Sequence, residues 1–409
     1  MTEPTPAKVV ICDDDPHRAA AWKSQIQNIP GIRAFDYDVI DGERLATEIK
    51  ILSRRRDAAR DTATDSGEYS VFDDADIAVL DYDLTPDKSM YDEFTDRDSS
   101  FEDLQRQLRG RTGELVAYLA RSYSTVGYLV VVNQQAQDLS FDLTMQRFAT
   151  SKADLNVTWE SLVSPALWTG RTADGGLNAW SWPCLEQTPE LWRRRLAAAS
   201  LDAKVLDALG IDPIKERLAA RQIDVLTDAP HVMSPDLADI TFRDVVDSSL
   251  GLNPKDIQND EKYRLRIAVS VVGRWLDHWI MPGQNVLIDE PHIAALFPSA
   301  HPTAAEEVDW KSAVAPDARI ASPIADLTAS VAGFHQRSVW PLSEVRTLAR
   351  KQPLPPDPQY DLAFCEDVSA FRQVDECTEV ETDVAGPFVQ RFVRKLDGVR
   401  YYPLTRLYS

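Results

Sequence analysis

Two short apolar runs that each end in acidic residues constrain the fold of this 409-residue chain more than any other feature. The first run covers residues 8–12 and the second covers residues 77–80. Runs of this length and character predict strands that are buried on both faces. The acids that follow the two runs are Asp13, Asp14 and Asp15 in the first case and Asp81 and Asp83 in the second.

Amphipathic helical segments alternate with these runs in the first part of the chain. Further strands are predicted over 34–40, 128–132 and, more weakly, 154–157. This alternation predicts βαβ units and therefore a parallel sheet flanked by helices. Ligands of such sheets bind at the carboxyl ends of the strands. The polar residues expected at those ends are Asp13, Asp14, Asp81 and Asn133.

Three carboxylates at neighbouring strand ends repel one another unless a proton or a cation intervenes. A hard divalent cation such as Mg²⁺ relieves this repulsion, because it prefers one or two carboxylates together with water and phosphate oxygens. A carboxylate beside such a cation can also act as a nucleophile toward a phosphoryl group. Asp15 is expected instead to cap the helix that follows the first strand.

Four segments in this order resemble the response-regulator receiver domains of two-component signalling. They are residues 9–16 (VVICDDDP), 76–86 (DIAVLDYDLTP), 113–119 (GELVAYL) and 128–133 (YLVVVN). The resemblance is good over residues 8–135, weaker over 136–158, and covers under two-fifths of the chain. It implies a flavodoxin-like fold with insertions near 53–75 and 86–111.

The resemblance also implies roles for individual residues. Asp13 and Asp14 match the acid pair that holds Mg²⁺ in that family, and Asp81 matches the phospho-accepting aspartate. Asp83 would offer its backbone carbonyl to the metal. Asn133 would contact the phosphoryl group, at the position where the family usually has Ser or Thr.

The sequence departs from the family at the end of the last strand. The lysine expected there has no match, because this strand ends at Thr158 and Lys152 lies before it. Two interpretations follow. Either Asp81 is phosphorylated and controls binding of a protein partner by the C-terminal region, or the domain is a degenerate receiver that serves as a docking scaffold without phosphotransfer.

The remaining 250 residues resemble no family that we recognise. We predict a receiver-like domain over 1–158, a Trp- and Pro-rich connector over 159–192, a mostly helical domain over 193–352 and a Pro-linked α+β segment over 353–409. Helices are expected over 191–209 and 263–280. A third interpretation is a metal-dependent hydrolase built around Asp289, Glu290 and His292, with Asp277 and His278 nearby.

Composition limits the partners of the chain. Its formal net charge is −21, which argues against a broad surface for nucleic acid. The four cysteines are scattered, the N-terminus resembles no signal peptide, and no apolar stretch approaches a membrane span, so a cytoplasmic location is expected. Expected partners are proteins, among them a histidine kinase or another phosphodonor protein, and a second copy of the chain as a homodimer.

Overall fold

The architecture is described from a computed structural model of the chain. The described residues are 6–61, 67–85, 104–133, 152–170, 184–218, 226, 237–248, 260–281, 285–289, 293, 333–336, 339–351, 362–365, 370–379 and 392–393.

The N-terminal unit is built on a five-stranded sheet in the order β2-β1-β3-β4-β5. All four strand pairings are parallel, with Val10 opposite both Asp38 and Ala78. This is the flavodoxin-like strand order, and the predicted α/β fold class is confirmed. The strands are β1 (Ala7–Cys12), β2 (Phe35–Ile40), β3 (Ile77–Asp81), β4 (Tyr128–Val132) and β5 (Leu155–Val157).

Helices connect these strands and cover the sheet. Residues 104–108, which lie within the insertion expected near 86–111, form a short helix that buries Leu104 and Leu108. The longer helices of this unit are α1 (Pro16–Gln27), α2 (Gly42–Asp61) and α3 (Gly113–Tyr123), and β5 is followed by the short helices α4 (Trp159–Leu162) and α5 (Pro165–Thr169).

Both faces of the sheet are buried, which explains why its central strands read as continuous apolar runs. Side chains of alternate residues point to opposite faces of a strand. On one face Val10 packs with residues of α2 and α3 such as Leu45 and Val116. On the other face Val9 packs with Trp22 of α1.

The C-terminal half contains a second hydrophobic core, formed mainly by helices. Within the described ranges this half also holds a two-stranded and a four-stranded sheet. Its elements are α6 (Thr188–Ala198), α7 (Val205–Ala208), α8 (Phe242–Ser248), α9 (Glu261–Trp275), β6 (Leu287–Asp289), β7 (Val339–Pro341), α10 (Leu342–Lys351), β8 (Leu362–Cys365), β9 (Ala370–Gln373), β10 (Thr378–Glu379) and β11 (Phe392–Val393).

Two of the predicted helices differ from the observed ones. The helix expected over 191–209 is wrong as one element, because the chain is extended at Ala199 and separates α6 from α7. The helix expected over 263–280 is α9, which begins at Glu261 and continues as a π-helical turn over Leu276–Ile280. No helix among the described residues is both long and apolar enough to cross a bilayer.

Candidate functional site

The acidic residues lie where the sheet topology brings strand ends together. Asp81 is the last residue of β3, and Asp13 and Asp14 directly follow β1, which is the neighbour of β3. Asp15 caps α1, as predicted, with its carboxylate accepting hydrogen bonds from the backbone N–H groups of His17 and Arg18. The chain therefore turns directly from β1 into α1 and leaves Asp13 and Asp14 facing β3.

Asp13, Asp14 and Asp81 form a compact and buried group. Each offers one carboxylate oxygen, and these oxygens all lie within 4.8 Å of one another. All three side chains are at most 4% exposed. Such a set of hard, closely spaced oxygens fits the ligand preferences of a divalent cation such as Mg²⁺.

A fourth residue, Arg18 in the first turns of α1, reaches into the same group. Its Nε lies 2.6 Å from Oδ2 of Asp13, and its Nη2 lies 2.6 Å from Oδ1 of the same residue. The same Nη2 lies 2.9 Å from Asp14 Oδ1 and 2.8 Å from Asp81 Oδ2. One guanidinium thus donates hydrogen bonds to all three carboxylates.

Two of these carboxyl groups, those of Asp14 and Asp81, have a raised pKa even with this guanidinium beside them. Burial, followed by the nearby charge of Asp13, raises the pKa of Asp81 to about 8, although Arg18 acts in the opposite direction. Burial and the hydrogen bond with Asp13 raise the pKa of Asp14 to about 7. When all three carboxylates are ionised, they carry more negative charge than one arginine neutralises, which favours binding of a proton or of a cation of higher charge.

The ends of β4 and β5 border the site. Asp81 is opposite Val132 in the sheet, and the next residue, Asn133, donates its backbone N–H to the carbonyl of Val157 at 2.8 Å. Asn133 therefore lies at the predicted strand end. The residue that follows β5 is Thr158, whose buried side chain caps α4.

Lys152 lies at the opposite end of β5, before the strand begins, and its backbone N–H contacts Glu114. The structure therefore places Thr158 at the strand end where the resemblance led us to expect a lysine. Asp83 is exposed, and its carboxylate accepts a hydrogen bond from the N–H of Thr85.

The N-terminus of α3 lies against the end of β3 at this site. Gly113, its first residue, donates its N–H to the carbonyl of Tyr82 at 2.9 Å. A Cβ atom at Gly113 would collide with the backbone carbonyl oxygen of Asp81. Glycine is therefore needed here for close approach between helix and strand.

The residues of the hydrolase interpretation are described only in part. Asp277 is buried and both of its carboxylate oxygens accept hydrogen bonds from Nη2 of Arg195, at 3.0 and 3.1 Å. Asp289 is buried at the end of β6. Glu290, His292 and the side chain of His278 lie outside the described residues.

Comparison with protein-family models, with curated proteins and with solved structures finds no match to this chain. The site is therefore interpreted from its own geometry. Among the described residues, Arg18 is the member of the site that the sequence did not predict. Arg18 follows Asp14 by four residues, a spacing that brings an acidic and a basic side chain to the same side of a helix N-terminus and could have indicated their contact.

Proposed function

We propose that the N-terminal unit is a receiver-like module that binds Mg²⁺ and accepts a phosphoryl group on Asp81. The observation that carries this proposal is the packing of three buried carboxylates within 4.8 Å at the carboxyl ends of neighbouring parallel strands. The strand order and the positions of Asp13, Asp14 and Asp81 support the resemblance to receiver domains.

The proposed reaction is a phosphoryl transfer to a carboxylate. An oxygen of Asp81 attacks phosphorus, the bond from phosphorus to the leaving group of the donor breaks, and an acyl phosphate forms on Asp81. The leaving group departs with the electron pair of the broken bond. Mg²⁺ held by Asp13, Asp14 and Asp81 would offset the negative charge that develops on the phosphoryl oxygens. The amide of Asn133 would donate a hydrogen bond to one of these oxygens.

The output of the module is proposed to be binding of a protein partner, controlled through the C-terminal region. The net charge of −21 favours a protein over nucleic acid as that partner. Phosphorylation acts by adding charge and strong hydrogen-bond acceptors at one strand end. This biases the balance between two arrangements of the elements that surround the site.

The test of phosphotransfer is intact mass after incubation with Mg²⁺ and acetyl phosphate. We expect one added phosphoryl group on the wild type and none on Asp81→Asn. The matched control is Asp76→Asn, which changes the acid at the other end of β3 and keeps an acceptor for the N–H of Lys8. Phosphorylation of Asp81→Asn would contradict the assignment of Asp81 as the acceptor. A wild type that binds Mg²⁺ but gains no phosphoryl group would contradict it as well.

A second candidate function is a receiver-shaped docking module without phosphotransfer. Thr158 favours it, because a threonine at the end of β5 supplies no positive charge to an acyl phosphate. A docking module of this kind would bind Mg²⁺, but the mass of the wild type would show no added phosphoryl group after incubation with acetyl phosphate. The two functions are therefore separated by a single measurement on the wild type.

A further inference from the structure

One guanidinium nitrogen lies at the centre of the acidic group. Nη2 of Arg18 is within 2.9 Å of an oxygen from each of Asp13, Asp14 and Asp81. A Mg²⁺ ion binds carboxylate oxygens at about 2.0–2.1 Å. An ion that used the same three oxygens would therefore occupy the space that this nitrogen fills, so the guanidinium and the ion exclude each other.

We propose that Arg18 is a built-in competitor for the divalent cation, so that the metal enters the site only when the guanidinium leaves. This inference rests on the Mg²⁺ site of the proposed function. It makes Arg18 the residue that sets the metal affinity of the site. The site then has two states, one closed by arginine and one filled by metal.

The surroundings of Arg18 allow both states. A guanidinium stays charged over the whole pH range in which these carboxylates ionise, so Arg18 can pair with the carboxylates whenever they are charged. The Arg18 side chain is 26% exposed, which gives it a path to solvent that the three carboxylates lack. Its guanidinium carbon also lies 5.9 Å from the ring centre of Trp22, one turn further along α1. Stacking on that ring offers the displaced guanidinium a favourable contact.

Competition has a measurable consequence for affinity. Metal binding to the wild type must first break four hydrogen bonds between Arg18 and the carboxylates. Arg18→Gln removes the positive charge and leaves the three carboxylates in place. We therefore expect this variant to bind Mg²⁺ at least about tenfold more tightly than the wild type, since its metal binding no longer has to break these charge-assisted hydrogen bonds.

The experiment is a calorimetric titration of the full chain with MgCl₂. The control is Arg44→Gln, which removes the same charge beside β2. Within the part of the chain that the structure describes, the side chain of Arg44 donates to Asp38 and to the carbonyl of Val39, not to the acidic group. A general electrostatic effect raises the affinity of both variants alike. Displacement of a competitor raises the affinity of Arg18→Gln alone.

Arg18→Lys provides a second variant in case Arg18→Gln does not fold without metal. A lysine keeps the charge but cannot contact several carboxylates with a planar fork. We expect its Mg²⁺ affinity to exceed that of the wild type. Its melting temperature should also rise more steeply with Mg²⁺ concentration than that of the wild type.

The outcomes separate this inference from the function on which it rests. Tighter binding by Arg18→Gln, including binding where the wild type shows none, supports competition. Equal affinities in the wild type, Arg18→Gln and Arg18→Lys overturn it and leave the Mg²⁺ site standing. Absence of binding in all folded forms overturns both the competition and the proposed Mg²⁺ site.

Discussion

At the scale of single residues, the site is defined by an excess of buried negative charge. Asp14 and Asp81 hold protons more tightly than free carboxylates because they are buried beside Asp13. Arg18 offsets part of this charge through direct hydrogen bonds. Protons, the guanidinium and the proposed Mg²⁺ would thus compete for one group of carboxylates, and each one would weaken the binding of the others.

This shared site predicts that Mg²⁺ binding depends on pH. The pKa of Asp81 is about 8 and that of Asp14 about 7, so protons occupy these carboxylates below those values and must leave before the metal binds. Affinity should therefore rise from roughly pH 6 to pH 8, by about tenfold per pH unit for each proton displaced. Calorimetry in buffers of different ionisation enthalpy measures the protons released.

The control for this prediction is Asp14→Asn, which removes one of the two displaced protons. Its affinity should be lower than that of the wild type, and its dependence on pH should be shallower. An affinity that stays constant over this range in the wild type would show that the carboxylates are already ionised before the metal arrives.

The acids of the site could be predicted from the sequence because their chemistry is tied to strand ends. An apolar run that stops at an acid indicates both where a strand ends and what lies there, as Asp13 and Asp81 illustrate. Arg18 does not follow an apolar run, so no strand end in the sequence marks its position. Acid–base spacing of four residues is common on solvated helix faces, and nothing in the sequence shows that Arg18 crosses to β3.

At the scale of elements, α3 connects the site to the rest of the molecule. Its first residue, Gly113, lies against the backbone of Asp81. Its last turn carries Arg121, which is buried and paired with Asp154 beside β5. The helix has 11 residues and is therefore about 16 Å long. A shift of the Asp81 backbone would therefore press directly on the first residue of a helix whose last turn carries Arg121.

The close contact at Gly113 predicts the effect of Gly113→Ala. The added Cβ would collide with the Asp81 carbonyl, so α3 or the end of β3 must move. We expect a loss of about 1–3 kcal/mol in the free energy of unfolding, as in other overpacked sites, and a weaker affinity for Mg²⁺. Urea denaturation and calorimetric titration measure the two effects.

Gly127→Ala is the matched control at the other end of β3. Its Cβ would collide in the same way with the backbone carbonyl of Asp76. This variant should lose similar stability but keep the Mg²⁺ affinity of the wild type. Equal losses of affinity in both variants would mean that the site responds to general destabilisation and not to its contact with α3.

The strands were predicted more accurately than the helix boundaries of the C-terminal half. Apolar runs that are buried on both faces stand out in the sequence, whereas the break after α6 does not. The segment between α6 and α7 pairs with distant backbone, since Phe242 donates to the carbonyl of Ala203 and Arg243 to that of Leu201. These contacts override the helical pattern, and they depend on residues about forty positions away.

At the scale of the whole molecule, α9 of the C-terminal half packs against the N-terminal unit, away from the acidic site. Arg266 donates to the carbonyls of Thr125 and Val126 in the loop after α3. The centre of the Trp192 ring lies 4.6 Å from the guanidinium carbon of Arg121 and 5.4 Å from that of Arg266. Residues of both halves thus share one buried polar cluster at the end of α3.

The centre of this cluster is the carboxylate of Asp154. It accepts hydrogen bonds from Arg121 and from the backbone N–H of Leu129 within the N-terminal unit. It also accepts one from Ser270 of α9, at 2.8 Å. A buried carboxylate depends on such donors, because each one that is removed leaves negative charge without compensation. Asp154 therefore couples the stability of β5 to the docking of α9.

This coupling predicts that Ser270→Ala destabilises both halves together. Loss of one hydrogen bond to a buried carboxylate should lower the free energy of unfolding by about 1–3 kcal/mol. Amide exchange should become faster in β5 as well as in α9. The control is Ser248→Ala in α8. Its hydroxyl donates to the carbonyl of Asp244 in its own helix, and its loss should change stability by less than about 0.5 kcal/mol. Faster exchange confined to α9 would show that Asp154 does not couple the stability of β5 to the docking of α9.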